Sequence, residues 1–233
     1  MAFESERTYD QTMDGSAASH NDADRLEIVA YSDYVCPWCY IGHLRIERLR
    51  RELAVDVRWR PFELHPETPR GGAQLEGRLG GEARARAYRE NIGGLAAEAG
   101  VRMSMPPLIA NSHLALEAAE FARETDVFEP FHDALFRAYF ENGLNIGEVD
   151  VLCEIARESG VDDQGLRQAL SDERYAVSID RLTAEARNDE IFSTPTFVFS
   201  GGFRLIGAQE YAVFASVTRR LMERRCGGSG APG

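Results

Sequence analysis

The 233-residue chain contains no lysine; all 26 of its Lys-or-Arg positions are arginine. Arginine pairs with carboxylates more strongly than lysine does. A GC-rich coding bias explains the absence more simply than selection, although an acidic, lysine-free chain would also suit a salt-loving organism. No stretch approaches the roughly 18–20 consecutive apolar residues of a membrane-spanning helix. The opening segment MAFESERTYDQTMDGSAASHNDADR has no basic start and no apolar run, so it does not read as a secretory signal, and the expected location is the cytoplasm. Residues 1–24 and 226–233 are expected to be disordered tails. Positive surface is also scarce: the formal charge of −12 argues against nucleic acid or an anionic membrane as a partner.

Cysteine is sparse as well. There are four, Cys36, Cys39, Cys153 and Cys226, in a chain too long and too poor in cysteine to be a disulfide scaffold. A structural zinc site needs four ligands, and here a single CxxC has no second pair. His43 and His65 could complete a site on paper, but their spacing matches no ligand pattern. No metal and no organic cofactor are expected. The length allows one large domain or one domain with a big insertion.

The CxxC lies in SDYVCPWCYIG, residues 32–42. Upstream, LEIVAYSD is short and largely apolar, the pattern of a buried strand. Downstream, residues 36–53 read as a helix, with Pro37 suited to its first turn and Ser32 or Asp33 available as caps. Cys39, Gly42, Ile46, Leu49 and Leu53 recur at helical spacing and form one core-facing stripe. Cys36 sits one turn earlier, at the helix mouth, where unpaired amides and the helix dipole favour an anion. CxxC thiols in that position fall to about 3.5–7.5 from about 8.5. The reading is therefore asymmetric, with an exposed, attacking Cys36 thiolate and a shielded Cys39 that resolves the mixed disulfide. Two buried core cysteines would explain Cys39 but not Cys36. Asp33, three before Cys36, is a cap or a proton acceptor. Val55, Val57 and Trp59 then alternate with charged residues as a strand, and strand–helix–strand implies parallel pairing with a right-handed crossover.

Near the other end, TFVFS and FRLIG flank Gly201-Gly202 as a hairpin, with Phe197 and Phe199 on one side and Thr196 and Val198 on the other. A helix follows from Ala208 to about Arg225. Pro195 opens the hairpin, where a Thr-Pro bond could be cis or trans. Residues 66–190 read as five or six helices, over about 82–99 (with Gly93-Gly94 as a kink), 112–125, 127–142, 148–159, 163–170 and 173–190. Phe121, Phe128, Phe131, Leu135, Phe136, Tyr139 and Phe140 read as core rather than as a groove wall. Trp38 and Tyr40 are better placed for a substrate surface. His65, His113 and His132 show no triad or metal spacing. Cys153 shares a core face with Val149, Leu152 and Ala156, and Cys226 reads as a free terminal thiol.

CPWCYIG, WRPFELHP, LFRAYFENGLNIG and TPTFVF with GAQEY, in that order, resemble the DsbA-like branch of the thioredoxin fold, and within it the FrnE-like predicted dithiol–disulfide isomerases. The resemblance runs from about residue 26 to 222. It implies an α/β thioredoxin fold, residues 25–65 and 190–225, split by a large all-helical insertion at 66–189. It also implies Cys36 as nucleophile, Cys39 as resolving thiol and Pro195 as a cis-proline facing the CxxC. Thr194 would offer backbone groups to an extended substrate. Pro37, Trp38, Thr194 and Pro195 are thus the expected substrate contacts. Relatives often carry Gly-Val before the proline, where this chain has Ser193-Thr194. The activity expected is thiol–disulfide exchange on protein substrates, with a small thiol or a thioredoxin-type protein recycling the pair. The alternatives are a glutathione-dependent isomerase or transferase of a small aromatic or polyketide-type compound, for which relatives on this scaffold use Ser in place of the nucleophilic Cys, and a holdase that binds unfolded chains.

Overall fold

The computed structural model describes residues 25–228, with side chains through Arg225. Strand β1 (Leu26–Ser32) leads through a tight turn into α1 (Pro37–Glu52) and then β2 (Val55–Pro61). The chain closes with β5 (Thr196–Phe199), β6 (Arg204–Ile206) and α9 (Tyr211–Gly228). The four strands form one sheet in the order β2-β1-β5-β6. β1 pairs with β2 in parallel, from Leu26 opposite Val55 to Ser32 opposite Pro61. β5 runs antiparallel to both β1 and β6.

The period-two pattern fixes which side of the sheet is core. Leu26, Ile28 and Ala30 pack with Val55, Val57 and Trp59 against Ile46 and Leu49 of α1 and Phe214 of α9. On the opposite face, Tyr31 and Val198 meet Phe62 and Ala186.

Between β2 and β5 lies the insertion: β3 (Ala73–Gln74), α2 (Leu75–Leu79), α3 (Glu82–Glu98), β4 (Leu108–Ile109), α4 (His113–Ala122), α5 (Phe128–Phe140), α6 (Val149–Ser159), α7 (Asp163–Ser171) and α8 (Ala176–Asn188). It is helical as expected, with two additions: the short helix α2, which makes seven helices where five or six were expected, and the two-residue strands β3 and β4 paired antiparallel. The Gly93-Gly94 pair does not interrupt α3, because buried Ile92 and Ala96 hold that turn against the core. The aromatic patch is interior: Phe131, Phe136 and Phe140 are fully buried. Each such side chain contributes about 1.5–3 kcal/mol by burial.

Two local expectations need correction. The hairpin loop has three residues, not two, because the Phe199 N–H bonds Phe203 C=O at 2.9 Å and leaves Ser200, Gly201 and Gly202 outside the ladder. Both glycines take positive φ, 91° and 86°, which side chains rarely tolerate. Helix α9 runs to Gly228, three residues into the segment expected to be a tail. The rest of both expected tails, residues 1–24 and 229–233, lies outside the described residues.

Candidate active site

The turn between β1 and α1 carries the dithiol, and both cysteines are free thiols. Cys36 is the residue preceding the first turn of α1 and has no side-chain cap, while Pro37 fills the first helical position. Asp33 is not the cap of α1. Its two carboxylate oxygens accept the N–H groups of Val35 at 3.2 Å and Leu64 at 2.7 Å, so it clamps the turn to the segment after β2. Its own N–H points at Cys39 Sγ, 3.4 Å away.

Across the turn is the loop before β5. The Thr194-Pro195 bond is cis. Cys36 Sγ lies 3.6 Å from the Thr194 carbonyl oxygen. Helix α1 approaches this loop closely because residue 42 is glycine: a Cβ there would lie 3.0 Å from Phe197 and 3.2 Å from Pro195. The fold thus brings Cys36, Cys39, Thr194 and Pro195 together from segments more than 150 residues apart in the chain. Pro37, Thr194 and Pro195 are buried, and Trp38 is half-buried.

The expectation of an exposed Cys36 is wrong. It is only 4% exposed and belongs to the cluster formed with the insertion helices, including Ile92 of α3 and Phe136 of α5. A strand–helix junction read from sequence says nothing about what an insertion lays over it. Tyr88 of α3 stands close enough for a Cys36 thiolate to add to the burial that pushes its phenol up to about 12. Tyr40 is also misplaced in the sequence reading. It is 1% exposed, stacks on Phe136 and Phe140, and hydrogen-bonds Glu141. The exposed aromatic at the rim is instead Phe192, 71% exposed and two residues before Thr194. Phe192 was readable as a large apolar residue in a loop beside the proline. Tyr88 carried no such signal.

The two thiols differ in acidity. Hydrogen bonding from the Cys39 thiol lowers the Cys36 pKa most, with the Thr194 hydroxyl and the Cys39 amide helping against burial. Cys39 moves far up, through burial and the adjoining Cys36. Burial raises Asp33 to about 6 despite the amides it accepts and a contact from Ser112. One thiol made more acidic beside one made less so suits thiol–disulfide exchange, in which a thiolate attacks and a second thiol resolves.

The model of the DSBA-like thioredoxin domain matches residues 27–218. The chain belongs to that family. This places it on a thiol–disulfide oxidoreductase fold, and a Cys-X-X-Cys pair, Cys36 and Cys39, is present. The uncharacterized protein YwbO of Bacillus subtilis is 30% identical over 176 residues, 74% of this chain and 86% of YwbO. The probable DsbA oxidoreductase SCO1869 from Streptomyces coelicolor superposes with a TM-score of 0.76 at 26% identity, over 90% of this chain and 93% of that one. A 2-hydroxychromene-2-carboxylate isomerase shares the fold, with a TM-score of 0.72 at 16% identity over 88% of this chain and all of its own.

The remaining candidates do not join the dithiol. His43 is buried with Nε2 3.1 Å from Asp133, and His132 is buried with Nδ1 2.6 Å from the Tyr34 hydroxyl. His65 is half-exposed beside Glu67. Cys153 is buried, with its thiol raised by burial, and the Cys226 side chain lies outside the described residues. Among the described residues no helix is long and apolar enough to cross a membrane.

Proposed function

We propose that this chain is a dithiol–disulfide oxidoreductase of protein disulfides, in which Cys36 attacks and Cys39 resolves. The observation that carries the reading is geometric: Cys36 stands at the mouth of α1, 3.6 Å from the Thr194 carbonyl oxygen beside cis-Pro195, with Cys39 one turn behind it. The Cys36 thiolate attacks a substrate disulfide, forming a mixed disulfide and expelling one substrate thiolate. The Cys39 sulfur, on losing its proton, attacks Cys36 Sγ, closes the Cys36–Cys39 disulfide and expels the second substrate thiolate. The substrate gains two electrons and the enzyme loses two. A small thiol such as glutathione, or a thioredoxin-type dithiol, returns them. The Asp33 N–H, aimed at Cys39 Sγ, supports the charge that appears there during resolution.

Protein rather than small-molecule substrates are favoured by the rim. Half-buried Trp38, inside the dithiol turn, and exposed Phe192, two residues before Thr194, offer apolar purchase for a protein chain. In a reducing cytoplasm the pair would be kept largely reduced and would act as a reductase or isomerase. Stabilising the Cys36 thiolate favours the reduced form, so the couple should be more oxidising than the same pair with an ordinary thiol at that position.

The test is trapping. With a disulfide-bonded protein substrate, Cys39→Ser should accumulate a mixed disulfide through Cys36, seen as a mass increase reversed by dithiothreitol. Cys36→Ser should form no adduct and lose turnover. Turnover that survives in Cys36→Ser would sink the reading and favour a holdase or a small-molecule isomerase.

A further inference from the structure

A cleft of about 1200 Å³ lies away from the dithiol; its walls include Glu63, Arg70, His113, Glu117, Arg167 and Asp180. Arg167 pairs with Asp150 at 2.8 Å, and exposed Arg70 pairs loosely with Glu173 at 3.7 Å while adding only a distant favourable charge at Glu117. That leaves three carboxylates around a single imidazole. His113 Nδ1 lies 3.0 Å from Glu63 Oε2, and its Nε2 lies 3.6 Å from Glu117 Oε1. One donor atom each from Glu63, His113 and Asp180 falls within 4.8 Å of the others.

Burial makes this arrangement unusual. The Glu63 and Glu117 side chains are 4% and 2% exposed. Glu117 Oε2 has no hydrogen-bond partner, and the one amide facing the group, that of Tyr175, does not satisfy that oxygen. Carboxylates withdrawn from water need a compensating charge or donor. A protonated His113 would balance one of them, not two.

We propose that Glu63, His113 and Asp180 form a binding site for a first-row divalent cation of the Mn²⁺ or Zn²⁺ class. Such an ion holds imidazole nitrogen and carboxylate oxygen at about 2.0–2.2 Å, which sets neighbouring donor atoms about 3 Å apart, as Glu63 and His113 already are. A nitrogen ligand favours these ions over Ca²⁺ and Mg²⁺, which take oxygen cages. With Nδ1 on the ion, Nε2–H is left to donate to Glu117. A ligating histidine whose second nitrogen is held by a carboxylate is the usual outer arrangement of metal sites. The ligands come from three elements: the segment after β2, the first residue of α4, and α8. No local spacing in the sequence shows them, which is why sequence reading expects no metal. Asp180 is exposed and gives the ion a way in from the cleft. The site shares a wall with the dithiol pocket, since Leu64 beside Glu63 and Ser112 beside His113 both bond Asp33.

The experiment is a titration of the full chain with Mn²⁺, read as loss of the free-ion electron paramagnetic resonance signal. Thiols are first blocked with iodoacetamide so that cysteine does not compete. The expected result is one saturable Mn²⁺ per chain, displaced by Zn²⁺ and not by equimolar Ca²⁺. Asp180→Asn and His113→Ala should abolish it, and Glu117→Gln should weaken it about 10–100-fold, the range for outer-shell partners. Asp180 is exposed, so its replacement leaves the fold intact, which a circular-dichroism melt checks. Absence of saturable uptake, or uptake unchanged in Asp180→Asn and His113→Ala, overturns the proposal and leaves His113 as a charged bridge between Glu63 and Glu117. Displacement by equimolar Ca²⁺ overturns the cation class.

Discussion

Cys36 and Cys39 are three residues apart and almost equally buried, yet their acidities move in opposite directions. What separates them is the local field. Cys36 receives the Cys39 thiol and the Cys39 amide, whereas Cys39 faces the Cys36 charge. Asp33 works against Cys36, because its charge raises the thiol. Asp33 itself titrates at about 6, so above that pH it is an anion and below it the opposition disappears. Asp33→Asn should therefore lower the Cys36 pKa, and at pH 7 it should speed alkylation of Cys36 severalfold. The two proteins should converge below about pH 6. Each unit of Cys36 shift corresponds to about 1.4 kcal/mol, or about 30 mV in the two-electron potential. Rates with iodoacetamide from pH 4 to 9 decide the matter. A difference that persists unchanged at pH 5 would show that the effect is geometric, arising from the amide contacts of Val35 and Leu64. The same carboxyl affects stability with a defined sign. Its folded pKa is above its unfolded value of 3.8, so the stability it contributes is complete below that value and is lost as pH rises through 6.

At the scale of elements, α1 explains why the dithiol meets the proline loop. Its core stripe was readable from Cys39, Gly42, Ile46 and Leu49, and the helix packs on that stripe. Gly42 is the point of closest approach. Alanine would gain about 1 kcal/mol in helix propensity. Its Cβ, however, would lie 3.0 Å from the Phe197 ring and 3.2 Å from the Pro195 ring, both fully enclosed. Overpacking of this kind costs about 1–3 kcal/mol. Gly42→Ala should thus be destabilised by up to about 2 kcal/mol in urea and should react more slowly with a protein disulfide, because Cys36 moves relative to Thr194. Equal or greater stability would show that the proline loop yields freely. The strands, the helices and the order of motifs were legible because each depends on local periodicity. The two-residue strands β3 and β4 were not, since two residues carry no period. Nor were the burial of Cys36, the inward turn of Tyr40 or the nearness of Tyr88, which depend on how α3 and α5 settle over the turn. The Glu63, His113 and Asp180 cluster was illegible for the same reason.

At the scale of the whole molecule, α1 belongs to two cores at once. Its first turns, Cys39 to Ile41, pack into the insertion cluster, and Ile46 and Leu49 pack into the sheet. Polar contacts follow the same division: Tyr34 bonds His132, His43 bonds Asp133, and Arg50 bonds Glu129, each joining the β1–α1 region to α5. Phe136 stands at the centre, with rings of Tyr34, Tyr40, His43 and His132 about 5 Å away. The insertion and the sheet should then unfold together rather than as separate units. Phe136→Ala removes a fully buried ring and should cost about 3–5 kcal/mol. It should do so as a shift of a single urea transition, with far-ultraviolet ellipticity and tryptophan fluorescence coincident, because Trp59 reports on the sheet core, Trp38 on the insertion cluster, and the helices dominate ellipticity. It should also speed alkylation of Cys36, since the cover over that thiol rests on the same cluster. Two separated transitions, with the helices melting first and Cys36 becoming reactive only with them, would instead make the insertion a lid that opens independently. Access to the dithiol would then be governed by that opening and not by the rim residues Trp38 and Phe192.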